Sequence, residues 1–345
     1  MRGVLSIFAL VGAVLLLAGC GGGDDGSSTG AGPATAPLTK PKGPPREMSI
    51  TLDGYSGPEN LGVLMADWED YFDEVGLSLT VYSPNEPSRP VRYTADRSVD
   101  VGISREPEVV LAQSKGTPIV AIGSLVSEPT AAMIWLGKSK IGDIADLKGK
   151  TVATAGLPVQ EQLLKSVLKS AGLSLNDIKL KDSGYDMVPD LAKGKVDAIF
   201  GASWNLEGVQ LEEMGLDPVI TKVQDLGIPP YDEYVVIARR DRLKKDPQLF
   251  RDFMAAVARG TATSTEDPDL AFEAVNEDVE SDYRVSPKVR EAQVETTLPL
   301  LSEDSDMDPA QAEDLIDWMH SEGMIKKKIP VSALFTNEFL PQPGQ

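Results

Sequence analysis

The sequence predicts an α/β fold of two lobes, with a hinge of two crossing segments and a helical C-terminal extension on lobe 1. Three observations carry this expectation. From Met48 onward, short β-rich runs alternate with helical ones, the pattern of a parallel sheet covered on both faces. The pattern restarts at Lys150, and two successive α/β units of about a hundred residues each make two lobes. After Arg240 the strand-like runs stop and a series of helix starts follows.

Residues 1–19 read as a signal segment. Arg2 supplies its positive end, and Val4 to Leu17 is an apolar run too short to span a bilayer comfortably. The run ends in Leu17-Ala18-Gly19-Cys20, which resembles the bacterial lipobox and makes Cys20 the expected lipid carrier. Residues 20–46 are rich in Gly, Ser, Thr, Ala, Pro and Asp. They lack the apolar surface that ordering requires, so they are expected to form a disordered tether.

In the first unit, Met48–Leu52, Leu77–Tyr82, Val99–Ile103 and Ile119–Leu125 are strand candidates, with helices expected at Gly62–Val75 and Pro107–Ser114. In the second, strands are expected at Lys150–Ala155, Ile178–Lys181, Ala198–Gly201 and Pro218–Val223, and Tyr234–Ala238 is a further apolar run. Leu163, Leu164, Val167, Leu168 and Ala171 recur at helical spacing over Val159–Ala171, and shorter helices are expected at Met187–Lys193 and Leu206–Met214. Asp246-Pro247, Asp267-Pro268, Ser286-Pro287 and Asp308-Pro309 are four N-cap residues with proline at the first helical position. Behind the first of them, Phe250, Phe253, Met254 and Val257 form a core stripe. This helical tail is expected to pack on the first lobe. Residues 47–130 plus 236–345 would then be lobe 1 and 131–235 lobe 2, and the ligand cleft would face the strand C-termini.

Composition limits the function. The 53 acidic and 33 basic side chains leave a net charge of −20, which argues against a nucleic-acid binder. One cysteine and one histidine, His320, exclude Cys-rich and His-pair metal centres, so neither a metal nor a cofactor is expected. His320 is read as structural.

Several segments carry a family likeness. Val101-Gly102-Ile103-Ser104 with Glu106-Pro107-Glu108, and Asp146-Leu147-Lys148-Gly149-Lys150 ahead of Gly156-Leu157-Pro158, are two of them. Trp204-Asn205-Leu206-Glu207-Gly208, Gly227-Ile228-Pro229-Pro230-Tyr231-Asp232-Glu233 and Phe335-Thr336-Asn337-Glu338-Phe339-Leu340-Pro341 are three more. Over residues 48–341 the chain resembles the substrate-binding lipoproteins of ABC importers in the SsuA/thiamine-pyrimidine-synthase-like family. The resemblance implies a type II, periplasmic-binding-protein-like clamshell that hands a small molecule to a membrane permease. Several members bind 4-amino-5-substituted-2-methylpyrimidines, whereas eukaryotic relatives make that pyrimidine with a lysine, a histidine and iron-linked cysteines. The pyrimidine binders open lobe 1 with Asp-Trp-x-x-Asn-x-x-His. Here Asp53-Gly54-Tyr55-Ser56-Gly57-Pro58-Glu59-Asn60 puts Gly54 at the tryptophan position and Asn60 at the histidine position.

The candidate ligand-binding residues are Tyr55, Asn60, Ser104, Glu106, Gly156, Pro158, Tyr185, Trp204, Asn205, Glu207 and Tyr231. The indole of Trp204 would stack on a flat ring, a contact worth about 1 kcal/mol beyond burial. Glu207 would accept from an exocyclic amine and a protonated ring nitrogen; the alternative is that Trp204 fills core and Glu207 serves the first turn of its helix. The turn from Gly156 to Pro158 offers backbone N–H groups to a ligand oxygen, although every α/β unit has such a turn. Tyr55, Tyr185 and Tyr231 are stacking candidates, Ser104 a cleft hydroxyl, Glu108 a solvated helix residue, and Asp232 a hinge or capping residue.

The expected function is therefore non-enzymatic. A monomeric extracytoplasmic solute-binding protein, anchored by lipid on Cys20 to the outer face of the bacterial cell membrane, captures a small heteroaromatic nutrient of the thiamine-pyrimidine-precursor type for an ABC permease. The alternatives are a pyrimidine-synthase-like enzyme, or a binder of an aliphatic sulfonate or a riboflavin-like compound.

Overall fold

The computed structural model describes residues 43–83, 89–277 and 285–341. The expected signal segment, Cys20 and most of the tether lie outside the described residues. Arg46, expected to end the tether, instead opens the first strand, and its guanidinium pairs with Asp252 at 2.6 Å.

Ten strands form two five-stranded sheets among the described residues. The first sheet holds β1 (Arg46–Thr51), β2 (Leu77–Tyr82), β3 (Val101–Ser104) and β4 (Ile119–Val126), with β10 (Tyr234–Arg239) returning to it, in the order β2-β1-β3-β10-β4. The second holds β5 (Ala131–Leu136), β6 (Thr151–Thr154), β7 (Lys179–Asp182), β8 (Ala198–Ser203) and β9 (Pro218–Lys222), in the order β7-β6-β8-β5-β9. The chain leaves the first sheet after Val126 and returns to it at Tyr234, earlier than the expected residue 236.

Both sheets are mixed, which corrects the expectation of parallel sheets. β1 runs parallel to β2 and β3, whereas β10 is antiparallel to β3 and β4. In the second sheet β6 runs parallel to β7 and β8, and β5 is antiparallel to β8 and β9. The two reversed strands, β5 and β10, are the ones entered from a crossing segment. Such a strand begins at the edge where its neighbours end, so it must run against them.

The helices are α1 (Leu61–Trp68), α2 (Tyr71–Glu74), α3 (Arg89–Asp96), α4 (Glu106–Ser114), α5 (Pro158–Ser170), α6 (Met187–Ala192) and α7 (Val209–Glu213). After β10 come α8 (Arg240–Lys245), α9 (Pro247–Glu266), α10 (Pro268–Glu277), α11 (Pro287–Thr297), α12 (Pro309–Ser321) and α13 (Val331–Leu334). All four expected caps accept a backbone N–H: Asp246 from Leu249, Asp267 from Leu270, Ser286 from Val289 and Asp308 from Ala310. The single helix expected over Gly62–Val75 is broken at Asp70, which takes a left-handed φ of 58° that aspartate tolerates. β5 and α3 were not foreseen, since β5 is buried along its length and α3 is largely polar.

The stripe Phe250, Phe253, Met254 and Val257 is fully buried against α1 and the first sheet, with Phe72 stacked on Phe253 at 5.5 Å. The fold is thus a two-lobed clamshell with its helical extension on lobe 1, as the sequence predicts. No helix among the described residues is long and apolar enough to cross a membrane.

Candidate functional site

The C-terminal ends of β1, β3, β6 and β8 converge with the start of β10 around one cavity of about 90 Å³. That is several times the space one water needs. Lobe 1 contributes Asp53, Gly54, Tyr55, Gly57 and Glu59 from the turn after β1, with Arg105 and Tyr234 behind them. Lobe 2 contributes Leu157 and Gln160 after β6, Tyr185 and Met187 after β7, and Ser203, Leu206 and Glu207 after β8. The rings of Tyr55 and Tyr185 meet in the cavity wall, and the Tyr185 hydroxyl donates to the Asp53 carbonyl oxygen at 3.4 Å.

Arg105 organises the lobe 1 wall. Its Nη1 donates to Asp53 Oδ2 at 2.6 Å, its Nε to Glu233 Oε1 at 2.8 Å and its Nη2 to the Tyr234 hydroxyl at 2.8 Å. Glu233 also accepts from the Thr130 N–H at 2.9 Å, so one carboxylate ties the two crossing segments to the cavity wall. These charge-assisted bonds hold Arg105 cationic well above its ordinary range despite burial.

Carboxylates outnumber that cation. Burial pushes Asp53 up against the pull of Arg105. Burial, then the charges of Glu207 and Asp53, push Glu59 to about 8. Glu207 is also pushed up by burial, although the Ser203 N–H bonds it at 2.7 Å. Asp53 Oδ1 and Glu59 Oε2 are buried without a hydrogen-bond partner. Gly57 lets the Glu59 carboxyl fold back, for a Cβ there would lie 2.6 Å from Oε2.

Of the expected ligand residues, Tyr55, Tyr185 and Glu207 line the cavity. A π-helical turn over Trp204–Gly208 turns Glu207 inward, a local distortion frequent at functional sites. The same turn sends Trp204 away. Its indole Nε1 donates to the Pro129 carbonyl and its face is covered by the Lys222 ammonium at 3.7 Å, so the expected stacking surface is already occupied. Asn205 donates to Thr297 Oγ1 on α11, and Asn60 is fully buried at the start of α1, outside the cavity lining. Ser104 donates to Glu108, and Glu106 Oε2 accepts the Asp232 N–H while its Oε1 is buried without a hydrogen-bond partner; neither residue lines the cavity.

The turn at Gly156 is also committed, because the Ala155 N–H bonds Gln160 Oε1 and the Gly156 N–H bonds Thr154 Oγ1. Pro158 only opens α5. Tyr231 is buried beside Arg105, bonded to Glu233. Glu108, expected on a solvated face, is turned inward, and burial and the Asp53 charge push its carboxyl up. Asp232 accepts from Ser124 Oγ, a structural tie at the crossing segment. His320 is exposed near the end of α12. Sequence reasoning missed Arg105, Asp53, Glu59 and Gln160. The available signal was position: each follows a predicted strand or sits in the altered Asp53–Asn60 turn.

Comparison with known proteins adds to this geometry. The formylaminopyrimidine-binding protein of Halalkalibacterium halodurans is 27% identical over 296 residues, spanning 84% of this chain and 89% of that protein. A 4-amino-5-hydroxymethyl-2-methylpyrimidine phosphate synthase of Legionella pneumophila is 24% identical over 306 residues, 85% of this chain and 92% of that protein. The solved periplasmic aliphatic sulphonate binding protein SsuA of Escherichia coli superposes with a TM-score of 0.62 at 18% identity, covering 87% of this chain and 94% of SsuA, a likeness of fold. Residues 57–271 match the family model described as NMT1/THI5 like. With a match over more than half its length, on a periplasmic-binding-protein fold, the chain belongs to the NMT1/THI5-like family.

Proposed function

We propose that this chain is the extracytoplasmic solute-binding protein of an ABC importer, taking up a small heteroaromatic compound of the thiamine-pyrimidine-precursor type unaltered. The observation that carries this reading is the interlobe cavity, walled by both lobes, whose Tyr55 and Tyr185 rings meet in its lining. Such a site needs only a closed state of higher ligand affinity to signal occupancy to a permease. The formylaminopyrimidine-binding relative supports the ligand class. In this reading the expected lobe 1, residues 47–130 plus 236–345, extends to Arg46 and Tyr234, where β1 and β10 begin, the residues between 130 and 234 form lobe 2, and the monomer is tethered through lipid on Cys20.

The synthase-named relatives raise a catalytic reading. Against it, the chain's one histidine is exposed on α12 and its one cysteine is Cys20, so the cavity wall has neither residue type. Native mass spectrometry of protein purified without refolding tests the proposal, followed by thermal-shift titration with 4-amino-5-hydroxymethyl-2-methylpyrimidine and its formylamino analogue. A pyrimidine should raise the melting temperature by linkage and be recovered unchanged. Conversion of the bound compound, or no stabilisation by any pyrimidine, would overturn the assignment.

A further inference from the structure

We infer that the cavity selects a ligand that enters as an organic cation, and that Glu59 sets this preference. The inference rests on the solute-binding reading above and narrows its ligand class. Three carboxylates, Asp53, Glu59 and Glu207, line the cavity, against a single cationic lining residue, Arg105. All three guanidinium nitrogens of Arg105 already donate within the protein. Two carboxyl oxygens, Asp53 Oδ1 and Glu59 Oε2, remain buried without partners, on residues only 6% and 9% exposed. Buried polar atoms are strongly disfavoured unless bonded, and buried charges unless paired.

A ligand carrying an ammonium or protonated ring nitrogen supplies the missing donors, and its charge draws off the proton that burial otherwise keeps on the Glu59 carboxyl. A phosphate or sulfonate would bring further negative charge to a wall where three carboxyl groups face one guanidinium that is already paired. A hydroxymethyl group is isosteric with an aminomethyl group but brings one donor and no charge. Glu59 also lies in the Asp53–Asn60 turn, where this sequence departs from the pattern of the pyrimidine binders it resembles.

The test is calorimetric titration of the unmodified protein and of Glu59→Gln at neutral pH. The probes are 4-amino-5-aminomethyl-2-methylpyrimidine, its 5-hydroxymethyl isostere and the phosphate of the latter, with benzylamine and benzyl alcohol as a second matched pair. The aminomethyl compound should bind about tenfold or more tighter than the hydroxymethyl one, as charge-assisted bonds exceed neutral ones, and the phosphate weakest. Glu59→Gln should bring the amine-to-alcohol ratio toward one while keeping the unliganded melting temperature at or above that of the parent. The inference is overturned if the alcohol or phosphate equals the amine, if Glu59→Gln leaves the ratio unchanged, or if no amine on either scaffold binds. Preference for benzylamine with no pyrimidine binding would instead sink the pyrimidine reading and leave cation selection standing.

Discussion

Tyr55 and Tyr185 come from opposite lobes and meet with ring centroids 4.9 Å apart and planes inclined at 47°. Tyr185 also lies against Gly54, where a Cβ would sit 3.5 Å from its ring. Gly54 therefore leaves room for an aromatic ring supplied by the other lobe.

Tyr185→Ala should accordingly weaken ligand binding through faster dissociation. An aromatic pair is worth about 0.5–1.5 kcal/mol beyond burial, so a loss of about two- to tenfold in affinity is expected. The unliganded protein should unfold at nearly the parent denaturant concentration, because Tyr185 is only half-buried. Stopped-flow fluorescence during ligand displacement measures the dissociation rate.

Arg105→Gln should be far more damaging to the fold. It removes the partner of Asp53 and Glu233 and leaves two buried carboxylates facing each other. Breaking a buried ion pair from one side typically costs about 3–5 kcal/mol. Arg105→Lys should restore only part of this, since an ammonium cannot reproduce the three-way fork. Urea unfolding of the three proteins reads the order directly.

The pH dependence of stability follows from Glu59. Its carboxyl is pushed from 4.5 to about 8 by burial, then by Glu207 and Asp53, with Arg105 opposing. Between those values the folded chain holds a proton that the unfolded chain releases. The group's stabilising effect is therefore complete below 4.5, declines as pH rises, and is gone above about 8. The slope from one such group is at most about 1.4 kcal/mol per pH unit. Glu106 and Asp232, also pushed up by burial, tilt the curve the same way, so the difference between parent and Glu59→Gln isolates Glu59. Urea midpoints across this range should show a flatter profile for the variant.

Much of the fold was legible because it rests on local signals. The four Pro-initiated helices, their caps and the α9 stripe follow from residue chemistry within one or two turns. The strand directions were not legible, because β5 and β10 are reversed by the path of the crossing segments rather than by composition. The site was half legible for a similar reason. Glu207 could be placed from its motif, but which way Trp204 points depends on a π-helical turn and on Lys222 arriving from β9, a contact 18 residues away in sequence and set by sheet pairing. Arg105 escaped notice because its partners come from two distant segments, Asp53 after β1 and the neighbours Glu233 and Tyr234 at the start of β10.

Trp204 and Glu207 therefore separate the sequence-based picture from the structural one. If the indole were the stacking surface, Trp204→Phe would alter affinity strongly, since the two rings differ in size and edge. In the structure the indole N–H is bonded to the Pro129 carbonyl and one ring face is covered by the Lys222 ammonium, outside the cavity lining. Trp204→Phe should thus leave ligand affinity within about twofold. It should lower stability by roughly 1 kcal/mol, for a lost hydrogen bond and a weaker cation–π contact. Glu207→Gln should do the reverse. Replacing a buried carboxylate by its neutral isostere costs little in folding but removes a charged acceptor from the cavity, and binding should fall by about tenfold or more. Isothermal titration paired with urea unfolding on both variants distinguishes the two outcomes. A strong affinity loss in Trp204→Phe without a matching loss of stability would return the indole to the ligand site.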